Sequence, residues 1–191
     1  MLDHLPEDGH VRKLWLGENT IYAEHLLRLD PDSRRRRFSG SVSEEFIRRH
    51  AEGAHGLGVV VHGFFLDGTL RGAAELRVYA PRFKGEAEAA FSIEQPWQSH
   101  GVGSALLERT LLTARNRGVR KLHMHCLAEN QRMQQLARKF DAELSFDFGS
   151  VVADVDPPRS TVLSMIRELN ADNYGIANAT FEAQSRLLRP A

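Results

Sequence analysis

Residues 86–104, EAEAAFSIEQPWQSHGVGS, decide how the rest of the chain is read. From Glu86 to Ile93 the residues alternate as in a strand, with Glu86, Glu88, Ala90 and Ser92 on one face and Ala87, Ala89, Phe91 and Ile93 on the other. Pro96 ends that strand. Trp97 to Ser104 then carries Gly101 and Gly103 into an amphipathic helix, expected from Val102 to Arg117, whose apolar stripe is Leu106, Leu107, Thr110, Leu111 and Ala114. Glycines let a ligand approach the backbone closely, and a helix start offers unpaired N–H groups and the positive end of a dipole. Together they make a pyrophosphate cradle. A Walker loop would need Lys after Gly103, where the chain has Ser104. The dinucleotide fingerprint would need a third glycine, where the chain has Leu106.

Downstream, Gly118 stops the helix and Lys121 to Leu127 reads as a strand. Asn130 opens a second helix with Met133, Leu136, Ala137 and Phe140 at helical spacing, and Leu144 to Asp154 is a final strand or strand pair. Upstream, Leu57 to Leu66 and Thr69 to Tyr79 are strands joined by Asp67-Gly68, the strongest hairpin signal in the chain. Pro81 to Gly85 is a loop. Val11 to Leu16 is a first strand. Thr20 is expected to cap a helix through about Leu29, Asp30-Pro31 to break it, Ser33 to cap a short turn carrying Arg34 to Arg37, and Ser43 to begin another helix. This order implies an α+β fold: a mixed, mostly antiparallel central sheet flanked by helices.

Pro157-Pro158 marks a boundary, dividing the chain into a domain over residues 1–156 and a C-terminal helical extension over 157–191. In the extension Ser160 is the expected cap, and Val162, Ile166 and Leu169 share a stripe that Tyr174, Ala177, Phe181 and Leu188 continue, as one long helix or two short ones. The stripe must pack on something: the sheet, a lid position, or a second copy in a homodimer.

Composition narrows the class. The chain has 191 residues, with 25 Lys+Arg against 25 Asp+Glu, so no net charge draws it to nucleic acid or to an anionic membrane. No apolar run is long enough for a spanning helix, and MLDHLPEDGH lacks the basic and apolar regions of a signal peptide; a cytoplasmic setting is expected. The single cysteine, Cys126, excludes an internal disulfide and multi-cysteine metal sites, and reads as a packed thiol. His123 and His125 share a strand face, but with no carboxylate or cysteine at ligand spacing no metal site is expected.

Gln98-x-x-Gly101-x-Gly103, with the strand before it, Leu106-Leu107 after it, and Asn130-x-x-Met133-x-x-Leu136-Ala137-Arg138-Lys139-Phe140, resembles the acetyl-CoA-binding region of the GCN5-related N-acetyltransferase (GNAT) family. The likeness is sharp over residues 86–140 and loose before residue 57. It implies acetyl-CoA as co-substrate, lying in a gap between two central strands. Backbone groups of Phe91, Ser92 and Ile93 would pair with the pantetheine arm. Gln98, Ser99, His100, Gly101, Val102, Gly103 and Ser104 would surround the pyrophosphate, and Asn130 would touch the far side. A backbone N–H near Ser92–Ile93 would polarise the thioester carbonyl.

The resemblance implies direct attack by an amine on the thioester. An ammonium of pKa about 10.4 is neutral in roughly one molecule in a thousand near pH 7.4, a deficit of about 4 kcal/mol, so a base is useful. Glu88 aligns with the glutamate base of the family's protein-lysine acetyltransferases. Glu75, mid-strand among Ala73, Ala74 and Leu76, is the second candidate. Ala137 stands where many members have a tyrosine that protonates the thiolate, which favours the branch containing bacterial protein-lysine acetyltransferases, as does the turn SRRRRF. The acceptor is expected to be a protein lysine or a small amine. The alternative is a non-catalytic acetyl-CoA sensor. Arg34 to Arg37 could meet nucleic acid or the 3′-phosphate of CoA, but such a run is more often a solvated helix edge and reads as one; Glu94 reads as a turn residue.

Overall fold

The computed structural model describes residues 5–79 and 85–188, with side chains excepted at 178–179 and 181–188. Most of the loop expected at 81–85 lies outside the described residues, as do the side chains of Phe181 and Leu188. The chain runs β1 (His10–Lys13), α1 (Asn19–Arg28), α2 (Pro31–Phe38), α3 (Glu44–Glu52), β2 (Val59–Leu66), β3 (Thr69–Val78), β4 (Glu86–Ile93), α4 (Val102–Asn116), β5 (Lys121–Leu127), α5 (Gln131–Lys139), β6 (Glu143–Asp147), β7 (Ser150–Val155) and α6 (Val162–Leu188). Short 3-10 turns follow α3 and β4. The expected α+β architecture is present: one sheet in the order β1-β2-β3-β4-β5-β7-β6, antiparallel except between β4 and β5. Asp67 and Gly68, both at positive φ, turn the β2–β3 hairpin.

Three caps differ from expectation. Helix α1 begins two residues earlier, at Asn19, with Glu18 rather than Thr20 at the cap position and no capping side chain. Asp30 caps α2 by accepting from the Ser33 N–H, and Pro31 occupies the first turn, so the Asp-Pro pair that ends α1 also starts α2. Thr161 rather than Ser160 begins α6, exchanging bonds with Ser164: Ser164 N–H to Thr161 Oγ1 at 3.1 Å and Thr161 N–H to Ser164 Oγ at 2.9 Å. Ser43 caps α3 as expected, accepting from Phe46 N–H.

Each face of the sheet is covered. On one, Leu14, Tyr22, Leu26, Ile47, Phe65 and Ala73 join α1 and α3 to β2 and β3. On the other, Leu76, Ala87, Ala89, Leu107, Leu122 and Met124 join α4 to the sheet, with Ala137 of α5 among them. Cys126 is packed there, and burial pushes its thiol up from the ordinary value.

The C-terminal stripe is inverted with respect to packing. One helix, not two, runs over 162–188, and its polar side faces the protein. Glu168 accepts from Thr113 Oγ1 at 2.8 Å, Asn116 Nδ2 at 2.7 Å and Arg117 NH1 at 3.1 Å, and Asp172 pairs with Arg109. These bonds hold Glu168 below the ordinary carboxylate value against the burial that would raise it. Gly175 is buried where α6 crosses β1: a Cβ there would stand 3.0 Å from Arg12 Cβ. Val162, Ile166, Leu169 and Tyr174 point outward, Leu169 being 61% exposed.

Candidate functional site

The site begins where the sheet stops being continuous. Strands β4 and β5 pair only as Glu86 with Lys121, Ala87 with Leu122 and Glu88 with His123. Beyond Glu88 they part, so the β5-facing backbone of Ala89–Ile93 has no strand partner. Buried backbone groups demand partners, so a strand edge inside a cleft is built for an extended, amide-bearing ligand. The cleft at this edge, walled by the end of β4, the start of α4, α5 and α2, has a volume of about 360 Å³. Phe91, Ser92, Ile93, Gln98, Ser99, Gly101, Gly103, Ser104 and Asn130 all line it.

At the mouth, Gly101 occupies the N-cap of α4 at φ 75°, a left-handed conformation suited to glycine, and no side chain caps the helix. The first-turn N–H groups are therefore left for an anion. Val102 is not among the lining residues, and its wholly buried side chain leaves only its backbone to face a ligand. His100 is exposed and its Nδ1 lies 2.7 Å from the Gln98 carbonyl oxygen, outside the cleft wall. Gln98 donates to the Ile93 carbonyl at 2.8 Å and to Ser33 Oγ at 3.1 Å, tying the loop to the end of β4 and to α2. Asn130 accepts from Met133 N–H at 3.3 Å, capping α5 at the far wall.

Cations surround the mouth, and two of them, Arg132 and Lys139, are not singled out by the sequence pattern. Arg36 and Arg37 of α2 and Arg132 and Lys139 of α5 line the cleft. Arg132 donates to Gln98, and Lys139 donates to Ser104 Oγ at 3.0 Å. The arginine run is only in part a solvated edge: Arg34 donates to the Leu27 carbonyl at 2.6 Å and the Arg37 side chain is buried against Glu75, whereas the Arg35 side chain is exposed and pairs with Glu129. Spacing hinted at this, since Arg132 and Lys139 lie seven apart on one helix. That α2 lies over the cleft is a tertiary fact.

The two carboxylates singled out as bases have opposite settings. Glu88 is half-buried at the apex of the parting strands and accepts from Tyr79 OH at 3.1 Å. Glu75, 5% exposed, is surrounded: Tyr22 OH at 2.9 Å, Arg37 at 2.8 Å, His50 Nε2 at 2.7 Å and Arg77 at 2.7 Å. Burial alone would raise its pKa, but hydrogen bonding from His50 and the charge of Arg37 hold it well below the ordinary range. Burial and the Glu75 charge drive the Tyr22 phenol the other way, upward.

Glu94 is no mere turn residue. It is buried, accepts from Arg28 and Arg71 at 2.9 Å each, and is held at about 2 by hydrogen bonds from His25 and Arg71, against burial that would raise it. His123 has carboxylates that linear spacing did not show: its Nδ1 is 2.7 Å from Asp154 and its Nε2 3.4 Å from Glu86. Among the described residues no group of His, Cys, Asp and Glu is arranged to hold a metal ion.

Parted strands, an uncapped helix start behind a glycine turn, and surrounding cations thus meet at one cleft. The family model described as acetyltransferase (GNAT) family matches residues 23–142. The chain belongs to that family and is an acetyltransferase. Among solved structures it is similar to the GNAT domain of PAT from S. lividans (TM-score 0.67, 23% identity, 78% of this chain and 90% of that one). It is also similar to an N-acetyltransferase from Staphylococcus aureus Mu50 (TM-score 0.61, 16% identity, 78% and 99%). A third is the PaiA N-acetyltransferase from Thermoplasma acidophilum, in complex with coenzyme A (TM-score 0.59, 18% identity, 78% and 98%). No curated protein matches the sequence.

Proposed function

We propose that the protein transfers the acetyl group of acetyl-CoA to a primary amine, a protein lysine or a small-molecule amine, by direct attack. The observation that carries this is the cleft itself. An unpaired β4 edge suits the amides of the pantetheine arm, and the uncapped start of α4, ringed by Arg36, Arg132 and Lys139, suits the phosphates. Phe91, Ser92 and Ile93 would hold the arm, and an N–H near Ser92–Ile93 would receive the charge that develops on the thioester oxygen.

Glu88 is the base in this reading. It sits at the strand apex and accepts from Tyr79, its one hydrogen-bond partner among the described residues, leaving capacity to take a proton from the acceptor ammonium, directly or through water. Glu75 is a structural anchor, since its lone pairs are already committed to Tyr22, Arg37, His50 and Arg77. Residues 157–191 form an extension to the catalytic domain. Its outward apolar side, Val162, Ile166 and Leu169, is assigned to a second copy of the chain in a homodimer. We place the enzyme in the cytoplasm, where an unpaired buried thiol such as Cys126 is at home; among the described residues no helix is long and apolar enough to cross a membrane.

The test is thiol release from acetyl-CoA with a panel of amines: polylysine, spermidine and a dipeptide with a free α-amine. Acetyl-CoA at about 100 times its dissociation constant should stabilise the fold by roughly 2.7 kcal/mol, and adenosine much less. Glu88→Gln should slow the chemical step roughly 10²–10⁴-fold, with a deficit that shrinks as pH rises toward the amine's own pKa. No thermal shift with millimolar acetyl-CoA, or full turnover in Glu88→Gln, would defeat the cofactor assignment and the base assignment respectively.

A further inference from the structure

The side chains of His25, Ser92 and Glu94 form a buried row that the mechanism above, which draws only on the Ser92 backbone, leaves unused. They are 0%, 6% and 7% exposed. His25 Nε2 lies 3.0 Å from Ser92 Oγ, and His25 Nδ1 lies 3.3 Å from Glu94 Oε1. With a carboxylate against Nδ1, the imidazole proton belongs on Nδ1, and the Nε2 lone pair accepts the Ser92 hydroxyl. This order of hydroxyl, imidazole and carboxylate equips a hydroxyl to pass protons. Ser92 lines the cleft on β4, whereas His25 lies behind it on α1, so His25 reaches the cleft through Ser92. Arg28 and Arg71 account for the Glu94 carboxylate, but a desolvated imidazole aimed at the hydroxyl of a cleft residue is not required by that ion pairing.

We propose that Ser92 and His25 carry the second proton of the transfer, from the attacking nitrogen to the departing sulfur. This rests on the reaction proposed above, in which Glu88 removes the first proton, that of the ammonium. When the neutral amine forms its bond to the thioester carbon, the nitrogen becomes cationic and holds one proton too many. Ser92 Oγ accepts that proton as its own passes to His25 Nε2. When the C–S bond breaks, its electron pair stays on sulfur. His25 then returns its proton to Ser92 as Ser92 protonates the thiolate. The pair ends the cycle as it began, and the only proton released is the one Glu88 removed.

The surroundings suit this duty. Burial holds His25 below its ordinary value, so it is neutral and able to accept near pH 7. Glu94 pulls the other way and steadies the transient imidazolium. The charged groups around the pair are Arg28 from α1, Arg71 from β3 and Glu94 at the end of β4, while Arg36 and Arg37 of α2 share the cleft wall with Ser92. Ala137, buried in α5, offers no hydroxyl for the thiolate. Ser92 is catalytic in this scheme; His25 and Glu94 act through it.

The experiment uses the intact enzyme with whichever amine of the panel gives the fastest wild-type turnover. Ser92→Ala should lose roughly 10²-fold in kcat with the acetyl-CoA KM little changed, and Ser92→Thr, which keeps the hydroxyl, should recover most of it. His25→Gln should lose as much, and the double variant Ser92→Ala/His25→Gln should be no slower than either single one, as groups acting in series require. These deficits should persist at high pH, unlike that of Glu88→Gln, because the second proton leaves only after attack. Wild-type kcat in Ser92→Ala, or losses that multiply in the double variant, would overturn the relay while leaving the transfer reaction intact. Should His25→Gln fail to fold, the Ser92 pair decides: an equal loss in Ala and Thr overturns the proposal. A wild type that turns over none of the amines defeats the transfer reaction itself, and the relay with it.

Discussion

Replacing Glu75 by Gln separates an anchor from a base. The side chain keeps its shape, but Arg37, 7% exposed, loses its carboxylate partner, and the new amide presents donors to Tyr22, His50 and Arg77. Removing one partner of a buried ion pair costs about 3–5 kcal/mol. At roughly 2–4 °C per kcal/mol for a chain of this size, the midpoint should fall by about 6–20 °C. The pH dependence has a definite sign. The folded-state pKa of Glu75 lies well below its unfolded value, so its contribution is complete above the unfolded value and is lost as pH falls beneath it. Starting from an unfolded value of about 4.3 and losing about 1.4 kcal/mol per pH unit, the gap between wild type and variant should be roughly 2 kcal/mol smaller at pH 3 than at pH 7. Urea unfolding at both pH values measures it, and acetyl transfer assayed well below the melt should persist in the variant. A variant as stable as wild type at pH 7, a gap unchanged at pH 3, or a folded variant without activity would refute the assignment of Glu75 as an anchor.

Gly103→Val should weaken acetyl-CoA binding with the fold retained: a Cβ there meets Leu136 Cδ2 at 3.3 Å and Ile93 Cδ1 at 3.5 Å, so the added methyls crowd the gap between α4, α5 and β4. Calorimetry showing parental affinity would move the cradle elsewhere. Ile166→Asp should convert a dimer to a monomer with little change in melting, since Ile166 faces outward and Glu168, not Ile166, joins α6 to α4. Sedimentation showing a monomeric wild type would remove the homodimer. Below about pH 4 the enzyme should also lose stability through Glu94, held at about 2 when folded; Glu94→Gln should flatten that acid limb, and an unchanged limb would exclude Glu94 from it.

The local features were legible in the sequence because their physics is local. Alternation over 86–93 returned β4 with its observed ends, Asp67-Gly68 returned the hairpin, and Gly101 before an apolar stripe returned the cleft-facing start of α4. Residues adjacent along the chain set those outcomes through backbone sterics and periodicity. What joins distant segments was not legible. Glu75, mid-strand, reads as a second candidate base because its partners are far away in the chain: α1, α2 and α3 bring it Tyr22, Arg37 and His50, and Glu94 reads as a turn residue although Arg28, Arg71 and His25 close on it. The stripe of α6 announced burial, yet Ser164, Glu168 and Asp172 found better partners in Asn116, Thr113, Arg117 and Arg109, and the apolar side was left outside. A period tells which residues share a face. Which face turns inward is settled by the hydrogen bonds and charges waiting on the surface it meets, and those are assembled only by the tertiary fold.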